Sequence, residues 1–344
     1  MTEKTVPDCP DDLTAPHPDS VDPPRLLIIG CGYLGVRVGR RARSAGWSVA
    51  ATSRSRLSAI ADEGFEPVRF NWNDSRDLST ISQVIESHAI NRVLISVSYD
   101  RNSSVDRFAS QVDGLSRLLG AIRAVPGHAS GHSPDVCYIS TTGVYHQTGG
   151  VWVDERSPTH PNRDGGRAHL QAESKMRGCL GHSPWTILRL SGIYGPGRVP
   201  RAADVRAGRP IASPPDGHLN LIHVDDAASA VISAFSWTKR GKTKRGKTMP
   251  ENASADSPPR NRDCSERERL YVVSDDGPVV RRQFYREIAR QTGAADPVFV
   301  EPGENSGVRF RSETDKRIWN RRLKRDLLPK LRYPSYVEGL RDIL

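Results

Sequence analysis

The stretch from Leu26 to Gly39, LLIIGCGYLGVRVG, constrains this chain more than any other. Leu26, Leu27, Ile28 and Ile29 are an unbroken apolar run, which predicts a parallel strand buried on both faces. The run enters Gly30, Gly32 and Gly35, spaced G-x-G-x-x-G, and Val36, Val38 and the residues after them continue as a helix. Strand, glycine turn and helix in that order are what a dinucleotide pyrophosphate needs. Gly30 permits the tight turn, Gly32 lets backbone approach the phosphates, and Gly35 lets helix and strand pack closely. The helix N-terminus adds free N–H groups and partial positive charge. Gly30, Gly32, Tyr33, Leu34 and Gly35 are therefore the expected cofactor contacts of this turn.

The end of the second strand, residues 47–52, selects the cofactor. A site for NAD usually carries Asp or Glu there to hold the ribose 2′-hydroxyl. This chain has Thr52, Ser53, Arg54, Ser55 and Arg56. A guanidinium pairs with a phosphate dianion, so NADP is favoured, with NAD the alternative and Ser53 and Arg54 the ribose-side contacts. The bland alternative is that Arg54 and Arg56 only face water. Further strands are predicted at 67–70, 92–97, 136–140, 185–190 and 270–273. Helices are predicted at 78–87, 106–125 and 281–292, with another opening at Asp225-Asp226, Asp225 as its N-cap, and running to about residue 237. This alternation gives an α/β fold with a doubly wound parallel sheet. Ligands then lie beyond the strand ends, which are Gly30, Thr52, Asn71, Ser96 and Ser140, and Ser96 joins the expected cofactor contacts.

Mean hydropathy is −0.54, polar for 344 residues, which points to segments that dilute a normal core. Residues 1–24, rich in Pro and Asp, read as a disordered acidic leader. Residues 238–269 begin KRGKT-KRGKT and read as a basic low-complexity insertion. No apolar run is long enough to span a bilayer and no signal pattern opens the chain, so no membrane partner is expected. The five cysteines make no C-x-x-C and no metal spacing, which reads as a reducing, cytoplasmic protein. The net charge of +10 gathers in 239–247 and 309–325 without interleaved aromatics. That is the pattern of solvated charge rather than of a nucleic-acid surface.

Five stretches carry a resemblance: GCGYLG at 30–35, YISTTGVY at 138–145, ILRLSGIYGPGR at 187–198, NLIHVDDAA at 220–228 and YVVSDD at 271–276. With them the chain resembles the extended short-chain dehydrogenase/reductases, the NAD-dependent epimerase/dehydratase group. DERSPTHPNRDGGR and PDGHLNLIHVDD make it most similar to an atypical, YeeZ-like branch. The resemblance implies a Rossmann-type dinucleotide domain over 25–237 with interleaved substrate loops, and a small C-terminal substrate subdomain over 270–344. The implied partner is a small-molecule substrate. The oligomeric state stays open, a homodimer among the options.

Members of that group use a Ser or Thr, a Tyr and a Lys, the Tyr exchanging a proton with the substrate oxygen. Thr141 matches the first, with Tyr145 closing the V-Y pair. Where a typical member reads Y-x-x-x-K, this chain has Gly165 and His169. The catalytic candidates are then Thr141, Tyr145 as replacement phenol, and His169, whose imidazole titrates near neutrality or only hydrogen-bonds the ribose. The short C-terminal half favours a small alcohol, aldehyde or carbonyl substrate over a nucleotide sugar. The alternatives are an NADP(H)-binding sensor or scaffold without redox catalysis, a nucleotide-sugar epimerase or dehydratase, and a pocket serving partner binding. Asp154 and Glu155 read as loop-orienting and His223 as a packed histidine. Arg189 and Arg198 read as either anion contacts or internal ion pairs.

Overall fold

The chain enters the described structure at Pro23 and folds at once into β1 (Arg25–Ile29), whose last four residues are wholly enclosed. The computed structural model describes residues 23–125, 133–180, 183–243, 269–301 and 314–344. Almost all of the leader, and the insertion from residue 244 to 268, lie outside them. After β1 come α1 (Tyr33–Ser44), β2 (Ser48–Ser53), α2 (Leu57–Asp62), β3 (Glu66–Arg69), α3 (Leu78–Ser87), β4 (Arg92–Ile95) and α4 (Gly114–Arg123). They continue with β5 (Asp135–Thr141), β6 (Val151–Val153), α5 (Asp164–Leu180) and β7 (Trp185–Leu190). The later part comprises β8 (Gly192–Tyr194), α6 (Ala202–Arg206), β9 (Ile211–Ala212), β10 (His218–Leu219), β11 (Leu221–His223) and α7 (Val224–Thr243). It closes with β12 (Leu270–Val273), β13 (Val279–Val280), α8 (Arg281–Thr292), β14 (Phe299–Val300), β15 (Lys316–Ile318), α9 (Arg321–Asp326) and α10 (Tyr336–Ile343).

Seven strands form one parallel sheet in the order β12-β7-β5-β4-β1-β2-β3. Alternate side chains of β1 serve opposite faces, as a strand's two-residue period requires. Leu26 and Ile28 pack with Leu34, Val38 and Ala42 of α1 and with Val231 and Phe235 of α7. Leu27 and Ile29 pack with Ile81 of α3, Leu115 and Leu119 of α4 and Met176 of α5. Truncating one such buried Ile or Leu to Ala costs about 2–5 kcal/mol. The chain leaves β1 toward β2 and β3, then crosses back to β4 and β5. The topological switch therefore falls at the carboxyl ends of β1 and β4, where ligands of such sheets bind.

The C-terminal segments build a smaller layer over those ends. Tyr194, Val205, Ile211, Phe284, Ile288 and Leu340 are its core. Four two-stranded ladders stand apart from the large sheet: β8 with β11, β9 with β14, β10 with β13 and β6 with β15.

Two expected elements differ. The helix expected over 106–125 begins with a π-helical turn, Ala109–Asp113, before α4. Trp72 explains it: its indole N–H donates to the Ser110 carbonyl at 2.5 Å, and a Cβ on Gly114 would meet that indole nitrogen at 2.6 Å. A side chain inserted into the helical ladder widens it locally. The helix expected to end near 237 instead spans Val224 to Thr243, entering the basic repeat and placing Asp225 in its first turn rather than at its N-cap.

Candidate cofactor and active site

Gly30 leaves β1 with φ +90°, and a Cβ there would lie 2.9 Å from the Val97 nitrogen. A Cβ on Gly35 would lie 2.9 Å from the Gly30 carbonyl oxygen, so α1 can seat against the turn only without a side chain. Around Gly32 a Cβ would meet no atom of the described residues within 4 Å, which leaves room before the helix. No side chain caps α1 and its first turn holds no acidic residue. The first-turn N–H groups, Tyr33 and Leu34 among them, have no intrahelical acceptor and face an anion's natural position. The turn is clamped from both neighbouring strands. The Gly30 N–H donates to Thr52 Oγ1 at 3.0 Å, and Ser96 Oγ donates to the Gly30 carbonyl at 2.8 Å. Ser96 thus shapes the turn as well as lining the cleft, and Thr52 has a clamping part that sequence reasoning missed. The residues fit a dinucleotide.

Beside the turn is a cleft of about 220 Å³ lined by Gly30, Gly32, Thr52, Ser53, Arg54, Arg56, Asn71, Asn73, Ser96 and Asp100. Ser53 Oγ accepts from the backbone N–H of Ser55 and Arg56 at 3.3 and 3.0 Å. Arg56 Nη2 donates to the Cys31 carbonyl at 3.0 Å, fixing its guanidinium at the cleft wall. Arg54 pairs across the mouth with Asp100 at 3.0 Å, which holds that carboxyl below its ordinary range. Neither arginine merely faces water.

Thr141, at the end of β5, lines two further clefts with Gly143 and Arg163. Its hydroxyl accepts from the Gly143 N–H at 3.0 Å. The first cleft, about 350 Å³, continues past Ser191, Arg201, His218, Asn220, Arg281 and Lys316. Ser191 Oγ is buried there without a hydrogen-bond partner among the described residues, and Arg201 carries a left-handed φ of +59°. Strained and unsatisfied groups of this kind recur at ligand sites. The second cleft, about 660 Å³, runs past Arg101, Arg107, Gly165, Arg167 and His169.

Tyr145 does not share Thr141's exposure. It is 1% exposed and packs with Val144, Val153, Val272 and Ile318. Its hydroxyl accepts from Arg189 Nη1 at 2.6 Å, and burial, against the pull of that arginine, pushes the phenol up to about 12. The structure turns this phenol into the core, away from the clefts. His169 does line the larger cleft, but both ring nitrogens are engaged. Arg107 donates to Gln111 Oε1 at 3.1 Å, turning Gln111 Nε2 toward His169 Nε2 at 3.3 Å. Nδ1 then carries the proton toward the Tyr138 hydroxyl at 2.9 Å. Burial lowers the imidazole to about 4, so it is neutral at physiological pH. Where a phenol would start at Gly165, the Arg107 guanidinium stands 3.7 Å from the Cβ position.

The remaining candidates sort cleanly. Arg189 is an internal ion pair, donating to both oxygens of Glu173 at 2.9 and 2.7 Å. Glu155 orients a loop by accepting from the Val272 N–H at 2.9 Å. His223 is packed between Tyr194 and Tyr333. Arg198 lies over the Tyr33 ring, 5.4 Å from its centroid, and the Tyr33 hydroxyl donates to the Pro196 carbonyl at 3.1 Å. Sequence reasoning missed Lys316, Arg163, Arg201 and Arg281. Those residues are scattered through 163–316, and the fold brings them to one cleft.

A doubly wound parallel sheet with a clamped G-x-G-x-x-G turn at its switch point defines a dinucleotide-binding protein of the extended dehydrogenase kind. The profile of the NAD dependent epimerase/dehydratase family matches residues 26–246, and the chain belongs to that family. It is similar to Protein YeeZ of Escherichia coli K12, 26% identical over 288 residues, covering 80% of this chain and 86% of that one. A conserved protein of unknown function from Silicibacter pomeroyi shares 26% identity and superposes with a TM-score of 0.66 over 92% of this chain and 96% of its own. The UDP-glucose 4-epimerase of Thermus thermophilus, solved with NAD, shares the fold at 18% identity, TM-score 0.67, over 92% and 96% of the two chains. The cofactor class is a nicotinamide dinucleotide. Among the described residues no helix is long and apolar enough to cross a membrane, and no group of three metal-ligating side chains occurs.

Proposed function

We propose that this chain is an NADP-preferring oxidoreductase that reduces or oxidises a small carbonyl or alcohol bearing an anionic group. The observation carrying the cofactor preference is the wall of the smallest cleft, where Ser53, Arg54 and Arg56 stand where an NAD site places a carboxylate. A bound nicotinamide dinucleotide supplies or accepts hydride at its ring C4. The chain's own residues hold the pyrophosphate at Gly30–Gly35, the ribose phosphate at Arg54 and Arg56, and the substrate oxygen near Thr141. The anionic end of the substrate is assigned to Arg163, Arg201 and Arg281, which share the cleft with Thr141.

The same cations would also suit the diphosphate of a nucleotide sugar, and this is the second reading. Calorimetric titration with NADPH and NADH, followed by loss of NADPH absorbance over phosphorylated, carboxylated and neutral aldehydes and ketones, tests the first. Nucleotide sugars in the same assay test the second. Tight NADPH binding with no turnover of any substrate would instead favour a sensor or scaffold.

A further inference from the structure

Lys316 stands out among the groups that sequence reasoning passed over. It opens β15, which runs parallel to β6 with Lys316 opposite Val151. Asn220 fixes its backbone from both sides, donating to the Lys316 carbonyl at 2.9 Å and accepting from the Ile318 N–H at 2.7 Å. The side chain is 8% exposed and lines the cleft that holds Thr141. Its ammonium donates to one group of the described residues, the Tyr145 carbonyl, at 3.1 Å. A lysine has three donors, so two remain for the cleft.

The charges around it are unusual for a buried ammonium. Among the described residues no carboxylate lies within ion-pairing distance of Lys316. The nearest acid in chain, Asp315, is taken by His218, accepting from its N–H at 2.8 Å and pairing with its ring at 2.7 Å. Arg163 repels it from the segment before α5, and Arg201 and Arg281 face the same cleft from α6 and α8. Burial first, and Arg163 second, draw the amine down to about 8, with Asp315 opposing. A fold selected for stability alone would put an apolar side chain here. An amine that exchanges protons near neutrality, held rigidly by Asn220 beside Thr141, suits acid–base chemistry.

We propose that Lys316 is the proton donor and acceptor of this site, taking over the role that Gly165, in the tyrosine's sequence position, does not supply. The step rests on the oxidoreductase reading above. In reduction, hydride from the nicotinamide dinucleotide forms the new C–H bond. The carbonyl oxygen takes a proton from the Lys316 ammonium, leaving alcohol, oxidised dinucleotide and neutral amine. Solvent reprotonates the amine, and the oxidation reverses each transfer.

Two measurements on the full-length protein decide this. Reductive methylation with ¹³C-formaldehyde gives each lysine a resonance, and Lys316→Arg assigns the one that disappears. Its midpoint is expected near 8 rather than near the ordinary lysine value. NADPH titration and NADPH consumption over the carbonyl panel are then measured for Lys316→Gln and Lys316→Met. Both variants are expected to bind NADPH as wild type does and to lose turnover by roughly 10²–10⁴-fold. The wild-type rate of reduction is expected to fall above the amine's midpoint. An ordinary midpoint, or full turnover in both variants, overturns the role of Lys316 and leaves the oxidoreductase reading standing. A wild-type protein that binds or consumes no NADPH removes that reading and this proposal with it.

Discussion

Arg189 Nη1 donates to the Tyr145 hydroxyl at 2.6 Å, while its Nε and Nη2 hold both oxygens of Glu173. Ser140 Oγ donates to the same carboxylate at 2.6 Å, so strand β5, strand β7 and helix α5 meet in one buried polar knot. This knot draws the Tyr145 phenol into the core, away from the cleft that Thr141 lines. Tyr145→Phe should lower unfolding stability by about 1–3 kcal/mol, the cost of leaving a buried charged donor short of an acceptor. NADPH affinity and turnover should be retained. Denaturant titration and the reductase assay check this, and collapse of turnover at unchanged stability would return the phenol to the chemistry.

Glu173 carries more of the load. Removing it strands Arg189 in the core, so Glu173→Ala should cost about 3–5 kcal/mol. Replacing both by methionine removes the charge and its partner together, and should recover most of that loss. Urea midpoints of the two single variants and the double variant test the pairing.

On the proposed reading, the Arg54–Asp100 pair bears on cofactor choice. A 2′-phosphate must compete with the Asp100 carboxylate for the same guanidinium. Asp100→Asn should therefore tighten NADPH binding more than NADH binding. Arg54→Ser should weaken NADPH by about 10-fold or more, the loss of one charge-assisted hydrogen bond to phosphate worth about 1.5–3 kcal/mol. Paired titrations with both dinucleotides read the ratio directly.

The fold was largely legible in the residues, and the reason is local. The apolar runs of β1, β4, β5, β7 and β12 and the glycine turn each declare themselves within a few neighbouring positions. The π-helical turn before α4 was hidden because its cause, Trp72, lies 38 residues upstream of Ser110. The glycine turn at Gly30–Gly35, and the cleft wall beside it at Ser53 and Arg54, were legible for the same local reason. The rest of the candidate site was not. Nothing near Lys316 in sequence says that Asn220 clamps it or that Thr141 lines the same cleft, because β6 and β15 pair across more than 150 positions of chain. Tyr145 misled in the opposite direction: its spacing from Thr141 suggested a shared cleft, while the Arg189–Glu173 pair draws its hydroxyl inward.

His169 gives a signed pH dependence. Its folded value, near 4, lies below the ordinary 6.5, so the unfolded chain takes up the proton first as pH falls. The stabilisation from the neutral ring is complete above about 6.5 and is lost as pH falls toward 4. His169→Gln lacks this loss. Relative to that variant, wild type should fall by about 3 kcal/mol between pH 7 and pH 4. Urea unfolding of both proteins across this range measures the difference, and parallel curves would show that the ring is not buried neutral.

The central claim is that the turn at Gly30–Gly35 holds a nicotinamide dinucleotide whose ribose phosphate meets Arg54 and Arg56. Isothermal calorimetry of the full-length protein with NADPH and with NADH tests it most directly, with Gly30→Ala as the control that fills the turn. NADPH is expected to bind more tightly than NADH, and Gly30→Ala to weaken both. Failure of wild type to bind either dinucleotide, or tighter binding of NADH, would contradict it.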